Sequence, residues 1–184
     1  MKLADQKIKQ FLEELASKKP APGGGSASAL AGVMAAALVN KVAALTISKE
    51  KYKEVEEEFK RLNRETLKLQ EELTKLVDAD TEAFMAVMST KGSQQAIKMA
   101  AEVPLETAAK SLAVLKAAVY ASEHGNQNLR SDAFCAIELA TAAVYGALEN
   151  VRVNLPFIKD GRFIEKLQDE IEEVLKGTER LVKP

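Results

Sequence analysis

Between Tyr52 and Val87 the chain places Val55, Phe59, Leu62, Thr66, Leu69, Leu73, Leu76, Asp80 and Ala83 at alternating spacings of three and four residues. That spacing is the period of one face of an α-helix. Unbroken over nearly forty residues, it predicts a coiled-coil-like helix far longer than the average in globular proteins. The rest of the chain keeps the same period. Ile8, Phe11, Leu12 and Leu15 form a short stripe near the start, and Ile164, Leu167, Ile171, Val174 and Leu181 form another near the end. No segment alternates with the two-residue period of a strand. The expectation is an all-α, single-domain bundle of about six to seven helices over residues 1–184, including the long coiled-coil-like helix.

Punctuation divides that bundle. Pro20, Pro22 and the triplet Gly23-Gly24-Gly25 predict a turn over Lys18 to Gly25. Ser26 then reads as the N-cap of a helix from Ala27 to Ser48, apolar nearly all round and rich in Ala and Gly. Such a helix suits the centre of a bundle, and its small side chains also suit a subunit interface. Gly92 marks a break, Ser93 reads as the cap of a short helix to Glu102, and Pro104 as the first turn of a helix ending at Gly125. After a polar loop from Gly125 to Arg130, Ser131 reads as the cap of an Ala-rich helix through Val153. Pro156 and Gly161 precede the last amphipathic helix.

Composition narrows the function classes. Lys and Arg number 26 against 27 Asp and Glu, so the net charge of -1 gives no footprint for nucleic acid. Cys135 and His124 are the sole cysteine and histidine, too few for a disulfide framework or a Cys/His metal centre. Bland roles fit both: Cys135 as a small packing residue and His124 as a partner for helix-end carbonyls. Lys41 lies on the face of Leu30 and Leu45, as a snorkelling or partly buried cation. The longest uncharged run offers only about 15 helical residues, Ser26 to Asn40, or ~22 Å against a ~30 Å hydrocarbon core. A soluble, cytoplasmic protein without metal, nucleic acid or membrane is expected.

Three polar islands remain. Pro20-Ala-Pro-Gly-Gly-Gly-Ser26 opens a helix, where bare amide groups and the helix dipole favour an anion, a carboxylate rather than a nucleotide. It also fits a tight turn with close backbone packing. Gly125-Asn126-Gln127-Asn128-Leu129-Arg130-Ser131-Asp132 combines ordinary capping residues with a density of amides suited to a heterocycle. Asn150 and Asn154, at i and i+4, share one helix face and equally fit a helix end. Asp80 stands apart, because a carboxylate in an apolar seam is costly unless paired or wet. Asp132 and Asn150 are 18 residues apart, ~27 Å along one helix, so a small ligand meets both only if a partner subunit brings opposite ends together.

Taken in order, PAPGGGSASALAG, LVDADTEAF (Leu76 to Phe84), EVPLETA (Glu102 to Ala108) and GNQNLRSDAFCAIELATAAVYGALENVRVNL (Gly125 to Leu155) resemble the formiminotransferase-cyclodeaminase C-terminal family. That family holds the formiminotetrahydrofolate cyclodeaminase domain and small bacterial methenyltetrahydrofolate cyclohydrolases. The resemblance implies an all-helical homodimer with a folate site at the subunit interface. It carries over Gly23, Gly24, Gly25, Ser26, Asp80, Gly125, Asn126, Ser131, Asp132, Asn150 and Asn154, and gives no support to His124 or Cys135.

The implied reaction is conversion of 5-formiminotetrahydrofolate to 5,10-methenyltetrahydrofolate and ammonia. The alternatives are the cyclohydrolase giving 10-formyltetrahydrofolate, a non-catalytic folate-binding dimer, and a plain helical interaction module. Neither reaction needs a metal or a redox cofactor; both need a carboxylate to move a proton and amide partners for the pterin. Asp132 is expected to transfer the proton, with Asp80 as its partner or a pterin anchor. Gly23, Gly24, Gly25, Ser26, Asn126, Asn128, Ser131, Asn150 and Asn154 are expected to bind a reduced folate, with or without a polyglutamate tail. The glycine turn and Lys49 and Lys51 are the expected hosts of that tail.

Overall fold

The computed structural model describes residues 2–182. Among them, regular structure is helical throughout: α1 (Ile8–Leu15), α2 (Gly24–Ala44), α3 (Glu56–Ser89), α4 (Gln94–His124), α5 (Arg130–Arg152) and α6 (Gly161–Val182), with short 3-10 turns between them. The long seam is real. Phe59, Thr66, Leu73, Leu76, Val77 and Ala83 are the buried residues of the 34-residue α3. Its first two positions, Tyr52 and Val55, fall instead in a 3-10 turn, Glu50–Val55, with a non-helical break at Tyr52.

Helix α2 is the hub, packed against α3, α4 and α5 at once. Its composition allows this. Ala29, Ala35, Ala36, Val39, Val42 and Ala43 are sealed from solvent. At Gly32 a Cβ would stand 2.8 Å from Ser111 Oγ on α4 and 3.2 Å from Leu73 on α3. The hydrogen side chain therefore sets how closely three backbones approach. Around this hub, Leu73, Leu115 and Leu148 are fully buried, each contributing about 1.5–3 kcal/mol by removal from water. Helix α6 closes the outside through Leu167, Ile171, Val174 and Thr178, mainly against α4. By length and composition, α2 and the stretch Gln127–Phe157 could each cross a membrane, but half of the most apolar window of α2 is buried inside the bundle.

The polar seam position Thr66 is satisfied inside the core. Its hydroxyl bonds to the Asn40 side-chain oxygen and to the Leu62 carbonyl at 2.8 Å, while Asn40 Nδ2 donates to Gln70 Oε1 at 2.8 Å.

Four helix boundaries differ from the sequence expectation, one being the end of α2, at Ala44 rather than Ser48. Helix α2 begins at Gly24 with Gly23 as its N-cap, so Ser26 lies in the first turn and its hydroxyl is free to bond elsewhere. Helix α5 begins at Arg130 with no side-chain cap, so Ser131 is an exposed first-turn residue. Most instructive, Ser93 does cap α4, accepting from the Ala96 amide at 3.3 Å, yet the helix runs straight through Pro104. A proline in a helix interior leaves the carbonyl four residues earlier without its donor. That carbonyl, Ala100, takes one from outside: Asn154 Nδ2 donates to it at 3.1 Å.

Candidate active site

A cleft of about 570 Å³ opens where the N-terminus of α2, the last third of α3, the start of α4 and the end of α5 converge. That is the size of a small-molecule site. Gly23, Gly24 and Gly25 form one wall, Asp80 and Phe84 another, and Asn150, Val153 and Asn154 a third. Ile97, Ala100 and Phe157 complete an apolar lining. Residues far apart in the chain thus meet in one place: the glycine turn, the acidic seam position and the Asn pair.

Asp80 is the one ionisable side chain among the residues that line this cleft. Its Oδ2 accepts from Ser26 Oγ at 2.9 Å, and Ser26 Oγ also lies 3.2 Å from Thr81 Oγ1. No Lys, Arg or His pairs with it among the described residues; its polar partner is Ser26. Burial raises the Asp80 pKa above the ordinary aspartate value, opposed only in part by the Ser26 hydroxyl and backbone amide. Gly25 makes the approach possible, because a Cβ at that position would overlap the Asp80 carboxyl group. Of the glycine triplet it is Gly25 that contact with a carboxylate from α3 requires; a Cβ on Gly23 would meet nothing within 4 Å. Lacking intrahelical partners, the first amides of α2 also face this end.

The Asn pair lies opposite. Asn150 Nδ2 donates to the Gly146 carbonyl at 2.8 Å, and a Cβ on Gly24 would come within 3.3 Å of that nitrogen. Asn154 Nδ2 bridges the Asn150 and Ala100 carbonyls at 2.8 and 3.1 Å.

The other expected residues lie at the opposite end of α2. Asp132 Oδ2 is paired with Lys41 Nζ at 2.9 Å, both partly exposed. Lys41 is 15 residues beyond Ser26, ~22 Å along the helix. Asn126 is buried and fully engaged as a fastener. Its amide N–H donates to Thr46 Oγ1 at 3.0 Å, its Nδ2 to the Leu45 carbonyl at 3.1 Å, and its Oδ1 accepts from the Asn128 amide at 3.2 Å. Asn128 and Ser131 are exposed. Within one protomer none of these four residues lines the cleft.

Lys49 and Lys51 also follow the C-terminal end of α2, so they are not neighbours of the glycine turn as expected. His124 ends α4, half-exposed, its ring centroid 4.5 Å from that of Tyr120. Cys135 is exposed rather than packed. The apolar lining by Phe84, Ile97, Val153 and Phe157 was not anticipated. Its one legible signal is Leu155-Pro156-Phe157, an apolar triplet directly after Asn154.

Residues 7–173 match the formiminotransferase-cyclodeaminase family. The chain is 38% identical to the methenyltetrahydrofolate cyclohydrolase of Methylorubrum extorquens, covering 93% of this chain and 89% of that protein. It is 33% identical to the formimidoyltransferase-cyclodeaminase of Dictyostelium discoideum, over 96% of this chain but only 35% of that longer protein. The solved structure of formiminotetrahydrofolate cyclodeaminase from Thermotoga maritima superposes with a TM-score of 0.92 at 33% identity, covering 96% of this chain and 92% of that one.

Proposed function

The chain belongs to the formiminotransferase-cyclodeaminase family, and on that premise we propose that it is a folate one-carbon enzyme, a cyclodeaminase converting 5-formiminotetrahydrofolate to 5,10-methenyltetrahydrofolate and ammonia. The observation that carries this reading is Asp80: a carboxyl group raised in pKa by burial, in a cleft of suitable size, facing amide side chains. In the reaction N10 adds to the carbon of the protonated formimino group (–CH=NH2+) and gives up its proton, and the amino nitrogen so formed gains one to leave as ammonia. A single carboxyl group held between its two states does both in turn. Asp80 takes that role in place of Asp132, whose carboxylate is already paired with Lys41. Asn150 and Asn154 supply hydrogen bonds to the pterin, and the first amides of α2 suit a carboxylate.

A second reading, the cyclohydrolase, is favoured by the 38% identical relative. It uses the same tetrahedral carbon with water as the nucleophile, Asp80 then acting as base.

The proposed assembly is a cytoplasmic homodimer. The exposed side of α2 carries Met34, Ala37, Ala44 and Leu45 at helical spacing around Lys41, an apolar stripe on the most apolar helix. A second copy packed antiparallel on that stripe would bring the partner's amide loop and its equivalent of Asp132 toward the glycine turn.

Mixing the purified protein with 5-formiminotetrahydrofolate is the test, followed by near-ultraviolet absorbance of the methenyl product. Methenyl appearance is the expected result. Decay of added methenyltetrahydrofolate without formimino turnover would select the cyclohydrolase, and folate binding without either reaction would leave a non-catalytic binding protein.

A further inference from the structure

Asn154 joins two carbonyls that lost their donors for unrelated reasons. Ala100 lost its donor because residue 104 is proline. Asn150 lost its own because the end of α5 tightens, the Asn154 amide turning back to the Val151 carbonyl at 3.0 Å instead. One amide nitrogen, Asn154 Nδ2, serves both, and with that both of its hydrogens are engaged. Because both partners are acceptors, no reversed orientation of the amide satisfies them. Asn154 Oδ1 has no partner among the described residues and is not among the sealed, unpaired polar atoms. It belongs to a residue that lines the cleft.

We propose that Pro104 is a positioning residue of the cleft: the carbonyl it leaves free at Ala100 locks the Asn154 amide so that its oxygen is the group offered to the substrate. Asn154 therefore reads an N–H donor on the bound ring, not an acceptor. The kinetic part of this inference rests on the folate reading given above; the hydrogen-bond part does not. An alanine at 104 restores a backbone N–H in register with Ala100 and competes with Asn154 for the same oxygen. The two residues, 50 apart in sequence, are thereby coupled.

The test compares wild type, Pro104→Ala, Asn154→Ala and the double variant, by steady-state turnover of 5-formiminotetrahydrofolate and by hydrogen exchange of the Asn154 side-chain amide in ¹⁵N NMR spectra. Asn154→Ala is expected to raise KM about fivefold, the value of one hydrogen bond. Pro104→Ala is expected to raise KM in the same direction with kcat within about twofold, the signature of lost substrate positioning rather than lost chemistry. The double variant is expected to be no worse than Asn154→Ala alone. In the wild type both Asn154 side-chain amide protons are expected to exchange slowly, and in Pro104→Ala the protection of the proton given to Ala100 is expected to be lost.

An unchanged KM in Pro104→Ala, or a double variant whose effect is the product of the two, overturns the proposal. If Pro104→Ala does not fold, fast exchange of either Asn154 amide proton in the wild type overturns it equally. Loss of amide protection in a protein that turns over no folate would sink the functional reading and leave the positioning intact. Turnover with unaltered protection would do the reverse.

Discussion

The two ends of α2 are built from the same residue types and have opposite fates. At the N-terminal end, glycines, an aspartate and two asparagines surround an open cleft. Asp80 there has a serine for a partner and, among the described residues, no cation. At the C-terminal end, Asn126 ties the loop to Thr46 and Leu45 while Asp132 has Lys41. One end leaves a carboxyl group with no counter-charge among the described residues beside open space, and the other pairs its carboxylate with a lysine. Glycine, asparagine and aspartate in a helical protein signal irregular backbone at both places. What separates chemistry from fastening is whether a charge is left without a counter-charge and next to space for a ligand.

The sharpest contrast is expected from Asp80→Asn, which keeps the shape and the Ser26 hydrogen bond. Turnover should fall about 100- to 10,000-fold, the range for loss of a general acid or base. Stability should move the other way. A carboxyl group whose folded pKa is raised binds more protons folded than unfolded, so it lowers stability as pH rises from the ordinary aspartate value through the folded one. Asp80→Asn should therefore melt higher than wild type at neutral pH, and the difference should shrink in acid. A variant that loses both activity and stability would make Asp80 a structural residue.

Next in size is Gly25→Ala, whose added methyl group would displace the Asp80 carboxyl group. Overpacking of this kind costs about 1–3 kcal/mol, and turnover should drop by more than tenfold through misplacement of the carboxyl group. Thermal melting alongside kinetics checks both. At the other end, Asn126→Ala should cost about 1–3 kcal/mol by leaving buried partners unsatisfied, read in a denaturant titration. Smallest is Asp132→Asn. Its pair with Lys41 is partly exposed, so stability should change by less than about 1 kcal/mol, and turnover should fall less than tenfold. A loss as large as that of Asp80→Asn would return the proton to the far end of α2.

Much of this was legible from residue spacing. The seam of α3 appeared because burial on one helix face repeats locally, and the central place of α2 followed from its alanines and glycines. What spacing could not show depended on partners distant in sequence. Ser26 looked like a cap because serine before an apolar run usually is one, yet Asp80, 54 residues away, recruits its hydroxyl. Pro104 looked like a helix start because nothing nearby could satisfy Ala100; Asn154 does so from α5. In the candidate site, the resemblance grouped the glycine turn, Asp80, Asn150 and Asn154, which line one cleft, with Asp132 and Asn126, which within the protomer lie at the other end of the hub helix. The apolar walls at Phe84, Ile97, Val153 and Phe157 had no polar motif to announce them.

The pH dependence of turnover, set beside the titration of the Asp80 carboxyl carbon by ¹³C NMR, tests the assignment of the cleft most directly. Asp80 should titrate above the ordinary aspartate range, and the same apparent pKa should govern kcat. An Asp80 that titrates like a free aspartate, or a kcat profile that ignores its titration, would contradict the placement of the chemistry at this end of α2.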